Sequence, residues 1–172
     1  QDITEQKRIG NQLIEAKEKA EKSKDYLNNI LNNIGDPVFV KDNQFRFVLV
    51  NDSFCKLLGL PKGKLIGKTM IEGLPAEQMK GFLQIDEQVL NDGLENVNEE
   101  IISNVNGDEL TIITKKSRYI DEHNNKFIIG TIRDVTQKKI IQRELDRQNE
   151  KLNELNNALN NAQRLTLWQV RE

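Results

Sequence analysis

The chain carries almost none of the residues that usually run redox, metal or nucleophilic chemistry. Among its 172 residues there is one cysteine, Cys55, and one histidine, His123. A single cysteine excludes an internal disulfide framework and fits a reducing compartment, so a cytoplasmic setting is expected. No apolar run approaches the roughly 20 residues of a membrane span. A net charge of −2 gives no general attraction to nucleic acid or to an anionic membrane, and neither is expected as a partner of this stretch. Aromatic residues make up 5% and hydrophobic residues 37%, against 30% charged. That is lean for one compact globule and suits a modest core flanked by solvated helices. The first residue is Gln1, with neither Met nor a signal sequence, which is what a piece of a longer protein would show.

The few reactive groups are also poorly placed for catalysis. A nucleophilic Cys55 needs a base partner, and His123 sits in Asp121-Glu122-His123-Asn124-Asn125, which reads as a solvent-facing hairpin tip. No paired-cysteine or multi-histidine metal spacing exists. Glu99 and Glu100 are adjacent on a strand and point to opposite faces, so they do not form a catalytic dyad. Gly63-Lys64-Leu65-Ile66-Gly67-Lys68-Thr69 invites a phosphate-loop reading, but Lys62 stands where the first glycine is required. No enzyme activity is expected of the fragment.

What the chain has in quantity is amphipathic helix. Asp2-Ile3-Thr4-Glu5 reads as a helix start, and Ile9, Leu13, Ala16, Ala20, Ser23, Leu27, Ile30 and Ile34 follow at alternating spacings of four and three. This is a heptad seam, with Lys, Arg and Glu on the other faces. Gly35-Asp36-Pro37 stops it. A second helix opens at Asp134-Val135-Thr136, and its seam is Ile141, Leu145, Gln148, Leu152, Leu155, Leu159, Ala162 and Thr166. The two openings match, and Ile9 and Ile141 each lie seven residues after the opening aspartate. The repeat suggests an array whose unit is a small domain plus a connecting helix. On this pattern residues 1–34 form an N-terminal signalling helix that begins at the end of a preceding similar unit. Residues 35–136 form a domain, and 137–172 a C-terminal signalling helix. Ile9, Leu13, Leu27, Ile30, Ile141, Leu145, Leu152, Leu155 and Leu159 are the dimer seam.

Between the helices the pattern predicts strands over 38–41 and 45–50, a short helix over 52–58, a buried Leu65-Ile66 turn, a longer helix over 77–91, and three strands over 97–103, 110–120 and 127–133. Asn106-Gly107 is a hairpin signal between the first two of those three. The second strand is apolar on both faces (Phe45, Phe47 and Leu49 on one, Val48 and Val50 on the other), so a flanking helix is expected over the back of the sheet. Strands at both ends with helices between predict an antiparallel α+β fold.

This central region, about Tyr26 to Gln137, resembles the PAS family. Val50-Asn51-Asp52-Ser53-Phe54 with Leu57-Leu58-Gly59 looks like the family's strand-to-helix signature, and Leu65-Ile66-Gly67-Lys68 like its next landmark. Gly130-Thr131-Ile132-Arg133-Asp134-Val135-Thr136 looks like its closing strand and Asp-x-Thr junction. The resemblance implies a five-stranded antiparallel sheet with helices over one face. It also implies dimerisation and service as a sensor or relay in a larger signalling protein, most often a sensor histidine kinase of a two-component system. A passive dimerisation spacer, or a module of a diguanylate cyclase-type regulator, are the alternatives. Adjacent domains of the same parent chain are the expected partners, with a homodimer formed through the flanking helices. Arg133, Asp134 and Thr136 are expected to couple the last strand to the output helix.

By strand alternation and analogy with the family, a pocket would be lined by Val38, Val40, Phe47, Leu49, Ile112, Ile128 and Ile132. Phe54, Leu65, Met79 and Phe82 would close it from the helical side. Almost no polar residue falls in this set, so any ligand is expected to be small and apolar or weakly polar. Relatives with covalent flavin photochemistry carry a cysteine in the later helices, and haem-binding relatives a histidine on the long helix. Both residues are missing there, so neither cofactor is expected.

Overall fold

The computed structural model describes residues 2–69, 71, 74–103 and 107–169. Its elements run α1 (Asp2–Asn33), β1 (Val38–Lys41), β2 (Phe47–Val50), α2 (Asp52–Leu58), α3 (Lys62–Leu65), α4 (Ala76–Asp92), β3 (Asn96–Ser103), β4 (Glu109–Ile120), β5 (Lys126–Asp134) and α5 (Thr136–Gln169). The chain divides into two units, Gln1–Arg133 and Asp134–Glu172. In the first, the strands form a five-stranded sheet ordered β2-β1-β5-β4-β3, with antiparallel pairings. Helices α2, α3 and α4 pack on one of its faces. The second holds α5, where the Asp134 carboxylate accepts the Thr136 amide at 2.8 Å beside the first turn.

Asn51 joins four segments of the first unit. Its side-chain oxygen accepts the amides of Val38 and Phe54, each at 2.9 Å, while its side-chain nitrogen donates to the carbonyls of Leu31 and Asp36, each at 3.0 Å. The first pair starts β1 and caps α2; the second holds the end of α1 and the turn after it. Asn32 accepts the Asp52 amide and the Ser53 hydroxyl donates to the Ile34 carbonyl, so α1 ends on the start of α2.

The core lies between the sheet and α2–α4. Phe39, Phe47 and Phe54 meet there with ring centroids 5.2–5.7 Å apart, joined by Leu58, Leu65, Ile102, Ile112 and Ile132. Gly130 pairs with Phe39 across β1 and β5, and a Cβ at this position would collide with the Phe39 ring. At the end of α4, Gly93 takes a left-handed φ of 72° beneath the Arg118 guanidinium.

Several expectations need correction. β2 begins at Phe47, because Phe45 takes a left-handed φ of 61° in the preceding turn. Asp42 organises that turn by accepting the amides of Gln44 and Arg46. Leu65 is buried, but Ile66 is turned outward. On the back of the sheet Val48, Val97, Ile101 and Tyr119 are exposed, where a covering helix was expected, although Val38 is buried. The Asn106 half of the expected turn lies outside the described residues, while Gly107 has the positive φ of 84° that such a turn needs.

Candidate functional site

A cavity of about 50 Å³ lies between the inner face of the sheet and α2–α4. Six of the expected residues line it: Phe47, Phe54, Met79, Phe82, Ile112 and Ile132. Leu65 and Ile128 are fully buried outside its lining. Val38, Val40 and Leu49 belong to the opposite face. Val38 pairs with Thr131, and Val40 with Ile129 and Leu49, whereas Phe39 pairs with Gly130 and Val50 toward the core. The inward residues of β1 are therefore Phe39 and Lys41, both in the cavity wall.

The alternation was misread because one end of the cavity is charged. Lys41, Glu100, Thr114 and Lys116 line that end. Behind the lysines, Asp86 of α4 accepts Lys41 Nζ on Oδ2 and Lys116 Nζ on Oδ1, each at 2.6 Å. All three side chains are nearly or completely shielded from solvent. Burial lowers the Lys41 pKa, opposed by the Asp86 carboxylate and reinforced by the like charge of Lys116. Burial also pushes the Glu100 carboxyl up, with Lys116 acting against it. Lys41 lies over the Phe47 ring at 4.7 Å, and Lys116 over that of Phe82 at 5.5 Å.

Two sequence signals pointed to this cluster. If Ile112 faces inward, the period of two carries Thr114 and Lys116 to the same face. On α4 the stripe Met79, Phe82, Asp86, Val89 places an aspartate at a core position of an amphipathic helix.

The residues considered for other chemistry are occupied otherwise. The amides of Ile66, Gly67 and Lys68 donate to the carbonyls of Lys62, Phe47 and Leu65, so they do not cradle a phosphate. Cys55 sits on α2 with its thiol pKa pushed up by burial and by Asp52, which disfavours the reactive thiolate. His123 is exposed at the β4–β5 turn, whose backbone Asp121 holds by accepting the amides of His123 and Asn125.

At the far end of the sheet, Arg133 donates through Nε and Nη2 to Asp36 Oδ2 at 3.2 and 2.9 Å. This pair ties the end of β5 to the turn after α1. The expected seam residues Ile9, Leu13, Leu27 and Ile30 of α1, and Ile141, Leu145, Leu152, Leu155 and Leu159 of α5, are exposed in the single chain.

Residues 25–135, more than half of the chain, match the PAS fold family. The chain belongs to the PAS family. This PAS domain is 35% identical over 119 residues to protein y4lL of Sinorhizobium fredii, covering 67% of the chain and 14% of that protein. It is 28% identical over 139 residues to the sensor protein kinase WalK of Staphylococcus haemolyticus, covering 79% of the chain and 21% of the kinase. The chain thus spans only a small part of these relatives. Among solved structures, the PAS domain of Bordetella pertussis BvgS aligns with a TM-score of 0.59 at 21% identity, covering 76% of this chain and 98% of that one. The phage VqmA–DPO complex aligns with a TM-score of 0.60 at 20% identity, covering 77% and 62%. Among the described residues no helix is long and apolar enough to cross a membrane.

Proposed function

We propose that this PAS domain is a non-enzymatic signal-relay and dimerisation module that passes a conformational change from α1 to α5 within a multi-domain signalling protein, a sensor histidine kinase first among the candidates. The observation that carries the reading is the bonding at the junction. Asn51 holds the end of α1, and Asp36, the third residue after α1, binds Arg133 at the end of β5. β5 runs directly into the Asp134–Thr136 opening of α5. A shift of either helix therefore acts on the same few backbone positions. The likeness to WalK over most of the chain supports a kinase parent. The exposed heptad seams support a homodimer formed through both helices, with adjacent domains of the parent as partners. The setting is cytoplasmic, without nucleic-acid or membrane contact by this segment.

Deleting one residue between Arg143 and Leu159 rotates everything beyond it by about 100°. In the full-length parent the deletion should change output activity, and unchanged output would sink the relay. A second reading, a passive dimerisation spacer, is favoured by the small size of the cavity. Denatured-extract mass spectrometry and thermal shift against a metabolite panel separate the two, since a spacer shows neither a bound species nor a shift.

A further inference from the structure

The geometry points to a specific ligand class for the cavity: a small monocarboxylate with a short apolar body, its carboxylate bridging the ammonium groups of Lys41 and Lys116. This rests on the cavity being a ligand site, and it replaces the apolar ligand that composition suggested. Both lysines lie in the cavity wall, while Asp86 binds them without lining the cavity itself. The carboxylate thus holds the two ammonium groups from behind, and their remaining protons are left to the cavity side.

Each ammonium has three protons to donate. Among the described residues, Lys41 Nζ donates to Asp86 Oδ2, and Lys116 Nζ donates to Asp86 Oδ1 and, at 3.4 Å, to the Phe82 carbonyl. Two ammonium groups bound to the two oxygens of one carboxylate are near enough for a second carboxylate to bridge.

Two buried cations face one fully buried carboxylate, and an excess charge in a low-dielectric interior is unfavourable. Glu100 is the remaining acid in the wall, and burial biases it toward its neutral form. A monoanion supplies the balancing charge, which a neutral ligand does not, and a cation adds to the excess. The rest of the wall is apolar, including Phe47, Met79, Ile112 and Ile132, and suits a hydrocarbon body. A cavity of about 50 Å³ limits that body to a few carbons.

Isothermal titration of the 172-residue chain with acetate, propionate and butyrate, each against its amide and its amine, tests this directly. At least one acid should bind tenfold or more tightly than its amide, and the amines should not bind. Lys116→Met should remove the preference for the acid. Should that variant fold poorly, Glu100→Gln keeps both lysines and swaps a group already biased toward neutral for a neutral one, so it should retain the preference for the acid, and loss of the preference would overturn the assignment. Equal binding of acid and amide would overturn the carboxylate assignment while leaving a ligand site. Absence of any binding would overturn the site as well. Equal binding of acid and amide leaves the relay as it stands, and absence of binding by these acids moves the balance toward the spacer without deciding it, since the relay is read from output in the full-length parent.

Discussion

Replacing Asp86 with asparagine should be among the most damaging single changes to this domain. The substitution keeps the shape and removes the charge that holds Lys41 and Lys116 at 2.6 Å each. Breaking a buried pair by removing one partner costs about 3–5 kcal/mol, because an uncompensated charge stays behind. The lysines set a ceiling of similar size. Deprotonating one at pH 7 from an ordinary pKa near 10.4 costs roughly 4.6 kcal/mol, at about 1.4 kcal/mol per pH unit. For a domain of about 100 residues, 3 kcal/mol corresponds to a loss of at least ~12 °C in Tm. Scanning calorimetry of Asp86→Asn reads this loss. The triple change Lys41→Met, Asp86→Leu, Lys116→Met should recover most of it, since well-packed apolar replacements of buried ion networks are often neutral or stabilising. A loss under about 1 kcal/mol for Asp86→Asn would refute the account of the cluster.

Two further outcomes follow from the same structure. Asn51→Ala removes an N-cap worth about 1 kcal/mol and leaves the Val38 amide and the Leu31 and Asp36 carbonyls without this partner. It should cost about 2–4 kcal/mol and raise hydrogen exchange at the end of α1; unchanged exchange there would contradict the role given to Asn51. Lys41 has a folded pKa below its unfolded value of 10.5, so between the two the unfolded chain holds more protons. Stability should therefore rise with pH across that interval, and the Lys41→Met variant, followed by urea unfolding, should lack this part of the rise.

The elements were legible because their ends carry strong local signals. Asn51 and Asp52 open α2, Gly93 closes α4, and Asp121 turns β4 into β5, so these boundaries fall within about a residue of the periodic pattern. The inner face of β1 was not legible. Val38-Phe39-Val40-Lys41 has three apolar residues of four, so alternation alone allows either face, and with the family analogy it placed the two valines inward. Tertiary pairing decides otherwise, because Asp86 receives Lys41 in the core and Gly130 makes room for Phe39. Phe45 was misread for a related reason: an aromatic residue reads as strand, yet here the Asp42 turn holds it in a left-handed conformation. The polar end of the cavity depended on four separate elements, β1, β3, β4 and α4, and only α4 and β4 carried a trace of it, as Asp86 in an apolar stripe and Lys116 in step with Ile112.

The central claim is that register in α5 carries the signal, and a pair of deletions tests it most directly. In the full-length parent, removing one residue between Arg143 and Leu159 turns the seam by about 100°, whereas removing seven consecutive residues there turns it by only about 20°. The account predicts altered output activity for the first and near-normal output for the second. Equal output from the two variants would contradict it.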